Sequence, residues 1–339
     1  MRENKLGALF RHPGGALPNL LAIAYAFAGW ATGVWLLTRS DFAYNTIGVL
    51  LTAHALVYSA YLIHECAHHT IFAVPADNDR LGAILSWLNG ACFATYAGLK
   101  EKHLRHHADR LDIVTFDYRA VLNRAPEWVR RCVLALEWAY VPAVEILIRG
   151  LVIAAPFLYG TTQDRLRVIA IFVIRASLFA VLAWISVKAL LLYVLAYLLF
   201  MSVMRFMDAF QHTYDVFPTL SLEPAPADLR RDRKYEYENT YSNLVSIGHP
   251  WLNLLVMNFP YHNAHHTRPA VPWHELPALH RALYGDKDRQ VMPCRILLAS
   301  YHKHRVARVF ATDYGSVDAD GDRAGGYIGA IGVNFLTTI

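Results

Sequence analysis

The chain has 339 residues, of which 55% are hydrophobic and only 17% charged, with a mean hydropathy of +0.25. Soluble domains carry about 25% charged residues, so this composition argues for an integral membrane protein. The net charge of +5 is spread between apolar blocks, which speaks against the concentrated basic face that a nucleic-acid partner requires.

In chain order, the uncharged stretch 17–38 is long enough to cross a hydrocarbon core of about 30 Å. After the short break "TRSD", residues 42–63 form a second span, with His54 its one strongly polar residue. That histidine is expected to hydrogen-bond a neighbouring helix rather than line an acyl channel. Residues 81–99 are apolar but softened by Gly82, Asn89, Gly90 and Gly98, which suggests a re-entrant or interfacial segment. Residues 132–160, interrupted by Glu137, Pro142, Glu145 and Arg149, read as an interfacial helix or pair.

The run Arg167 to Met204 would extend roughly 57 Å as one helix, far beyond one bilayer. Two spans, 167–185 and 187–206, are therefore predicted, and Arg175 must snorkel or find a partner. "SLEPAPADLRRDRKYEYEN" reads as a solvated loop, and the Gly/Asp-rich tail 311–339 as loosely ordered. The expected architecture is all-α: one membrane domain over residues 1–310 with about four spans, followed by the tail. Arg2, Lys5 and Arg11 precede the first span, so the positive-inside rule places the N-terminus in the cytoplasm. Parity then returns the second and fourth spans to that side.

Cys66, Cys92, Cys132 and Cys294 form no C-x-x-C pair, which argues against a zinc ribbon, an iron–sulfur cluster and a disulfide framework. Histidine is the unusual residue. Of 17 histidines, ten fall in "HECAHH" (64–69), "HLRHH" (103–107), "QHT" (211–213) and "HNAHH" (262–266). On a helix, residues three or four apart are neighbours. His64 and His68 therefore share a face, as do His103, His106 and His107, and His262, His265 and His266. His69, rotated off its face, ranks lower.

Imidazole is the commonest metal-ligand side chain, and nine such nitrogens, with His212, exceed the three or four protein ligands of one zinc site. Two metals are expected. "HECAH" alone fits a zinc protease with Glu65 as general base, yet no aspartate before Asp208 stands out as its third ligand, and the other histidines would go unexplained. A metal-handling transporter is a further alternative. A carboxylate-bridged di-iron bundle needs two Glu-x-x-His motifs, and "ECAH" is the only one among the histidine groups. "RHPGG" at 11–15 is dismissed as a haem site, because too few residues precede His12.

The boxes H-x-x-x-H, H-x-x-H-H and H-x-x-H-H around hydrophobic hairpins, with "FQHT" and "NFPYHNAHHTRPAVPWHELPALH", resemble the membrane-bound fatty acid desaturase superfamily over about residues 20–285. The resemblance implies a centre of two non-haem iron ions that activates O2 and abstracts hydrogen from an unactivated acyl C–H. It implies His64, His68, His103, His106, His107, His212, His262, His265 and His266 as the ligands. Outer support is expected from Asn258, Asp109, Asp112 and Asp117, with His69 as a weaker ligand candidate.

The substrate implied is a fatty acyl chain drawn from the bilayer. A desaturase is the first reading. A hydroxylase, or a decarboxylase converting free fatty acids to 1-alkenes, is the alternative, and the latter would need a cation such as Lys100, Lys102 or Arg105 to hold a carboxylate. The chain shows no dinucleotide fingerprint, so electrons are expected from an external ferredoxin or b-type cytochrome with its reductase. "RRDRK" (230–234) and "KHR" (303–305) are docking candidates. The expected location is a bacterial inner membrane, with the metal site on the cytoplasmic face.

Overall fold

The computed structural model describes residues 7–218, 231–284, 290–317 and 324–338. Arg2, Lys5, Arg230 and the segment 318–323 of the tail lie outside them. Among the described residues, four helices are long and apolar enough to cross a membrane: Ala16–Leu37, Phe42–Ala67, Thr162–Ile185 and Val187–Ala209. The chain divides into two compact units, one built from residues 1–98 and 150–203, the other from 99–149 and 204–338.

In the first unit, Ala16–Leu37 and Phe42–Ala67 form the first hairpin, and its turn is pinned from inside. The Asn45 amide donates to the carbonyls of Leu36 (3.0 Å), Leu37 (3.3 Å) and Arg39 (2.9 Å). Asp41 caps the second helix through the Ala43 N–H at 2.8 Å, satisfying one of the amides that a helix start leaves without a partner. The helices approach closely where side chains are absent. A Cβ on Gly33 would lie 2.4 Å from the Thr52 hydroxyl, the small-residue packing that replaces hydrophobic drive inside a bilayer.

The expected hydrogen bond of His54 is present, with its Nδ1 2.5 Å from the Tyr25 hydroxyl. Arg175 finds the Trp87 carbonyl at 2.7 Å, and Lys188 bonds Asn45 Oδ1 at 2.7 Å. Thr162–Ile185 turns most of its apolar surface outward, with Trp184 91% exposed, as a lipid-facing helix does.

Residues 81–99 do not form one helix. Pro75–Asn89 ends at Gly90, whose φ of +80° closes the helix in the left-handed region, and a new helix starts at Tyr96. Residues 132–160 resolve into a pair of helices, Glu127–Trp138 and Ala143–Leu158. Before the first span, Arg11 donates to the His69 carbonyl at 2.9 Å, and its N–H to the Ile71 carbonyl at 3.0 Å. The chain entering the first span thus lies beside the chain leaving the second, as the parity argument requires.

The second unit keeps the expected helical character and adds three features that the sequence did not announce. Although the chain is mainly helical, a short parallel pair joins β1 (Asp112–Val114) to β2 (Val216–Pro218). The tail, expected to be loose, is packed where described. Ala324 and Tyr327 join Ala209, Phe210, Tyr241, Met292 and Leu297 in one core cluster. Local composition obscured this because Gly and Asp are frequent in the first half of the tail, whereas Ala324 and Tyr327 pack against neighbours remote in sequence. Part of the loop read as solvated is also structured: Arg233–Glu238 is a helix with Glu236 buried.

Candidate metal centre

The second transmembrane helix runs past the expected end at Ile63 to Ala67, so His64 lies on its last turn and His68 just beyond. Their rings are 4.8 Å apart. Glu65 lies against them: its carboxylate accepts the Thr70 hydroxyl at 2.6 Å and is 3.3 Å from His64 Nδ1. A carboxylate so engaged orients an imidazole rather than activating water, which disfavours the protease reading. His69 turns away at φ +55° and pairs with Asp79 at 3.1 Å.

In the second unit seven histidines sort into two groups. The helix Tyr96–Arg105 widens into a π-turn over His106–Arg110, a distortion frequent at functional sites. His103 and His107 stay together, with Nε2 atoms 3.1 Å apart, and His265 Nε2 lies 3.1 Å from that of His107. His106 goes elsewhere. Its Nε2 is 3.2 Å from that of His212 and 3.4 Å from that of His266, while His262 Nε2 is 2.7 Å from that of His212. The candidate ligand atoms of this second group lie within 4.8 Å of one another. The prediction that each H-x-x-H-H box presents one shared face is therefore corrected: each box divides between the two groups.

This arrangement suits cations. Nitrogens held about 2.0–2.1 Å from one metal lie roughly 3.0–3.4 Å from each other, the spacing of His107 with His103 and His265 and of His106 with His212 and His266; His262 and His212 are closer. The protons are placed accordingly. His106 Nδ1 lies 2.8 Å from the Leu111 carbonyl and His266 Nδ1 3.2 Å from Glu236 Oε1, so each ring keeps its proton at Nδ1 and turns a bare Nε2 inward. Burial, then neighbouring histidines, hold His212 and His266 well below the ordinary imidazole range, leaving them neutral near pH 7, as ligation demands. Several inward lone pairs repel unless a cation sits among them.

The outer layer was only partly foreseen. Asp112 Oδ1 is 3.5 Å from His106 Nδ1, and burial pushes its carboxyl up to about 7 against the opposing Tyr314 hydrogen bond. Asp109 faces Arg105 at 3.6 Å. Asp117 caps a helix through the Ala120 N–H at 2.9 Å. Asn258 adopts φ +56° and donates to the Trp273 carbonyl at 3.3 Å, shaping the turn before the third box.

Sequence reading missed Glu236, which holds His266 and is itself held by Arg110 at 3.0 Å and Arg233 at 2.6 Å. It also missed Asn263, whose amide donates to the Thr240 carbonyl at 2.7 Å and accepts the Ser242 hydroxyl at 2.9 Å. Neither carries a local signal, since all their partners named here except Arg233 are 20 or more residues away. Replacing Glu236 by alanine is expected to weaken metal retention by the second group about 10- to 100-fold, read by chelator competition, with the first group unaffected.

Two of the three cations proposed for a substrate carboxylate, Lys102 and Arg105, are already engaged. Lys102 is buried and donates to Thr115 Oγ1 (3.2 Å) and to the carbonyls of Asn334 (3.0 Å) and Thr337 (2.9 Å). Arg105 faces Asp109, and Lys100 is half-buried. The docking candidates make local bonds yet stay accessible, Arg233 with its side chain 65% exposed and Lys303 exposed. Arg231 pairs with Asp215 at 2.6 Å, Arg233 with Glu236, and Lys303 donates to the Gly325 carbonyl at 2.9 Å.

Comparison with known proteins agrees with this geometry. No curated protein matches the chain. A family model described as "Fatty acid desaturase" matches residues 40–297, well over half of the 339 residues and all three histidine boxes. On that match the chain belongs to the fatty acid desaturase family.

Proposed function

We propose that this protein is a membrane-bound, O2-dependent di-iron oxidase acting on a fatty acyl chain, most simply as a desaturase. The observation that supports it best is the division of imidazoles into two convergent Nε2 groups. His103, His107 and His265 would hold one iron and His106, His212, His262 and His266 the other, while the family resemblance adds His64 and His68 to the ligand set. When bound, such an iron pair uses O2 to remove hydrogen from an unactivated C–H.

The chain's own residues do the rest. Leu111 and Glu236 orient His106 and His266. Phe335, 5.6 Å from the His103 ring, and Phe259, 5.1 Å from the His262 ring, supply apolar walls that limit water beside the ligands. Electrons come from an external ferredoxin or b-type cytochrome with its reductase. The cytoplasmic face of a bacterial inner membrane is the proposed location of the site, in keeping with Arg11 before the first span.

Loss of a second, neighbouring hydrogen gives an internal alkene; oxygen transfer gives an alcohol; hydrogen loss at C3 of a free acid with release of CO2 gives a 1-alkene. The engagement of Lys102 and Arg105 favours the first, because no carboxylate anchor is left among them. The test is metal analysis with gas chromatography of products from labelled fatty acid. About two irons per chain and an internal alkene are expected. Odd-chain 1-alkenes would overturn the desaturase assignment, and one zinc with peptide cleavage the oxidase itself.

A further inference from the structure

A cavity of about 40 Å³ lies against both histidine groups of the second unit, touching His103 from one and His106, His212 and His262 from the other. That volume exceeds the roughly 10–15 Å³ that a water needs. Four other polar side chains line it, and three are spent on the protein. Asp208 accepts from the Asn334 amide at 2.6 Å, and Asp112 accepts from the Tyr314 hydroxyl at 2.9 Å. Lys102 makes the three hydrogen bonds given above.

Gln211 differs. It is 5% exposed, and its Nε2 is a buried donor with no hydrogen-bond partner. The backbone around it is fixed, because its carbonyl accepts the Tyr241 N–H at 2.8 Å and His212 bridges to Thr240. Buried amide N–H groups are seldom left unpaired, since desolvation without a partner is costly. A donor at this place, beside nitrogens that converge on cations, fits a small ligand with lone pairs.

We infer that the Gln211 amide is a positioning residue, donating a hydrogen bond to a small oxygen ligand of the metal centre, water or an anion of similar size, held in this cavity. The inference rests on the iron-centre reading. Gln211 needs no charge and displaces no imidazole to do this; it selects where in the space between the two groups such a ligand sits.

The test uses iron-loaded full-length protein and azide as the probe, followed by its charge-transfer absorption, in wild type and in Gln211→Met and Gln211→Glu. Metal content is measured alongside. Both variants should keep about two irons and bind azide about tenfold more weakly, the effect of one lost hydrogen bond. Gln211→Glu keeps the side chain's size while replacing the donor by an acceptor, so it reports even if Gln211→Met does not fold. Wild-type azide affinity in a metal-replete variant would overturn the inference, and so would loss of iron from both variants, which would make Gln211 a structural support. Wild-type protein that holds no iron would instead defeat the metal-centre reading.

Discussion

His265→Ala should lower bound iron from about two per chain to about one and reduce oxidase turnover at least about 100-fold, because losing a ligand costs more than losing an outer partner. The position is diagnostic. His265 Nε2 lies 3.1 Å from that of His107, which lies 3.1 Å from that of His103, so alanine opens one group while His106, His212, His262 and His266 keep their mutual spacing. Far-ultraviolet circular dichroism should be unchanged, since the short helix His262–Thr267 is held from outside by Asn263. A zinc protease working through His64, Glu65 and His68 would keep its activity in this variant. Full iron content and full turnover in His265→Ala would refute the two-group assignment.

Arg205→Met should destabilise the protein by about 3–5 kcal/mol, the cost of leaving a buried partner charge uncompensated. Arg205 Nη1 is 2.5 Å from Glu137 Oε2 and 3.3 Å from Glu145 Oε2, and the Arg205 and Glu137 side chains are only 4% and 2% exposed. Burial raises the Glu137 carboxyl above its usual range, and Arg205 pulls it back, so removing the guanidinium leaves burial unopposed. Denaturant unfolding in detergent measures the loss. Adding Glu137→Gln and Glu145→Gln should restore much of it, since a neutral trio carries no unpaired charge. A single variant as stable as wild type would mean the acids are satisfied by other means.

These two outcomes probe different layers, and the sequence spoke clearly to only one. The four spans were legible because a bilayer demands about 20 apolar residues per crossing, and the observed helices differ from the predicted ones by only a few residues at their ends. The histidines were legible as a group because three boxes of one ligand type have no bland explanation. The buried trio was not. Glu137 and Glu145 looked like interruptions in an apolar run, and their attraction to Arg205 depends on a meeting of residues as far as 68 positions apart.

By itself, then, the amino-acid order determined membrane residence, the number of long apolar helices and the nine imidazoles, since each follows from local length, hydropathy or spacing. Tertiary structure alone decided which imidazole of the second unit joins which group. In the second box the chain passes through a π-turn at His106–Arg110, of which a 3.6-residue period carries no sign. Folding likewise brought Glu236 to His266 and Thr337 to Lys102. A buried polar group takes whichever partner the packed chain delivers, and in this protein that partner comes from far along the sequence.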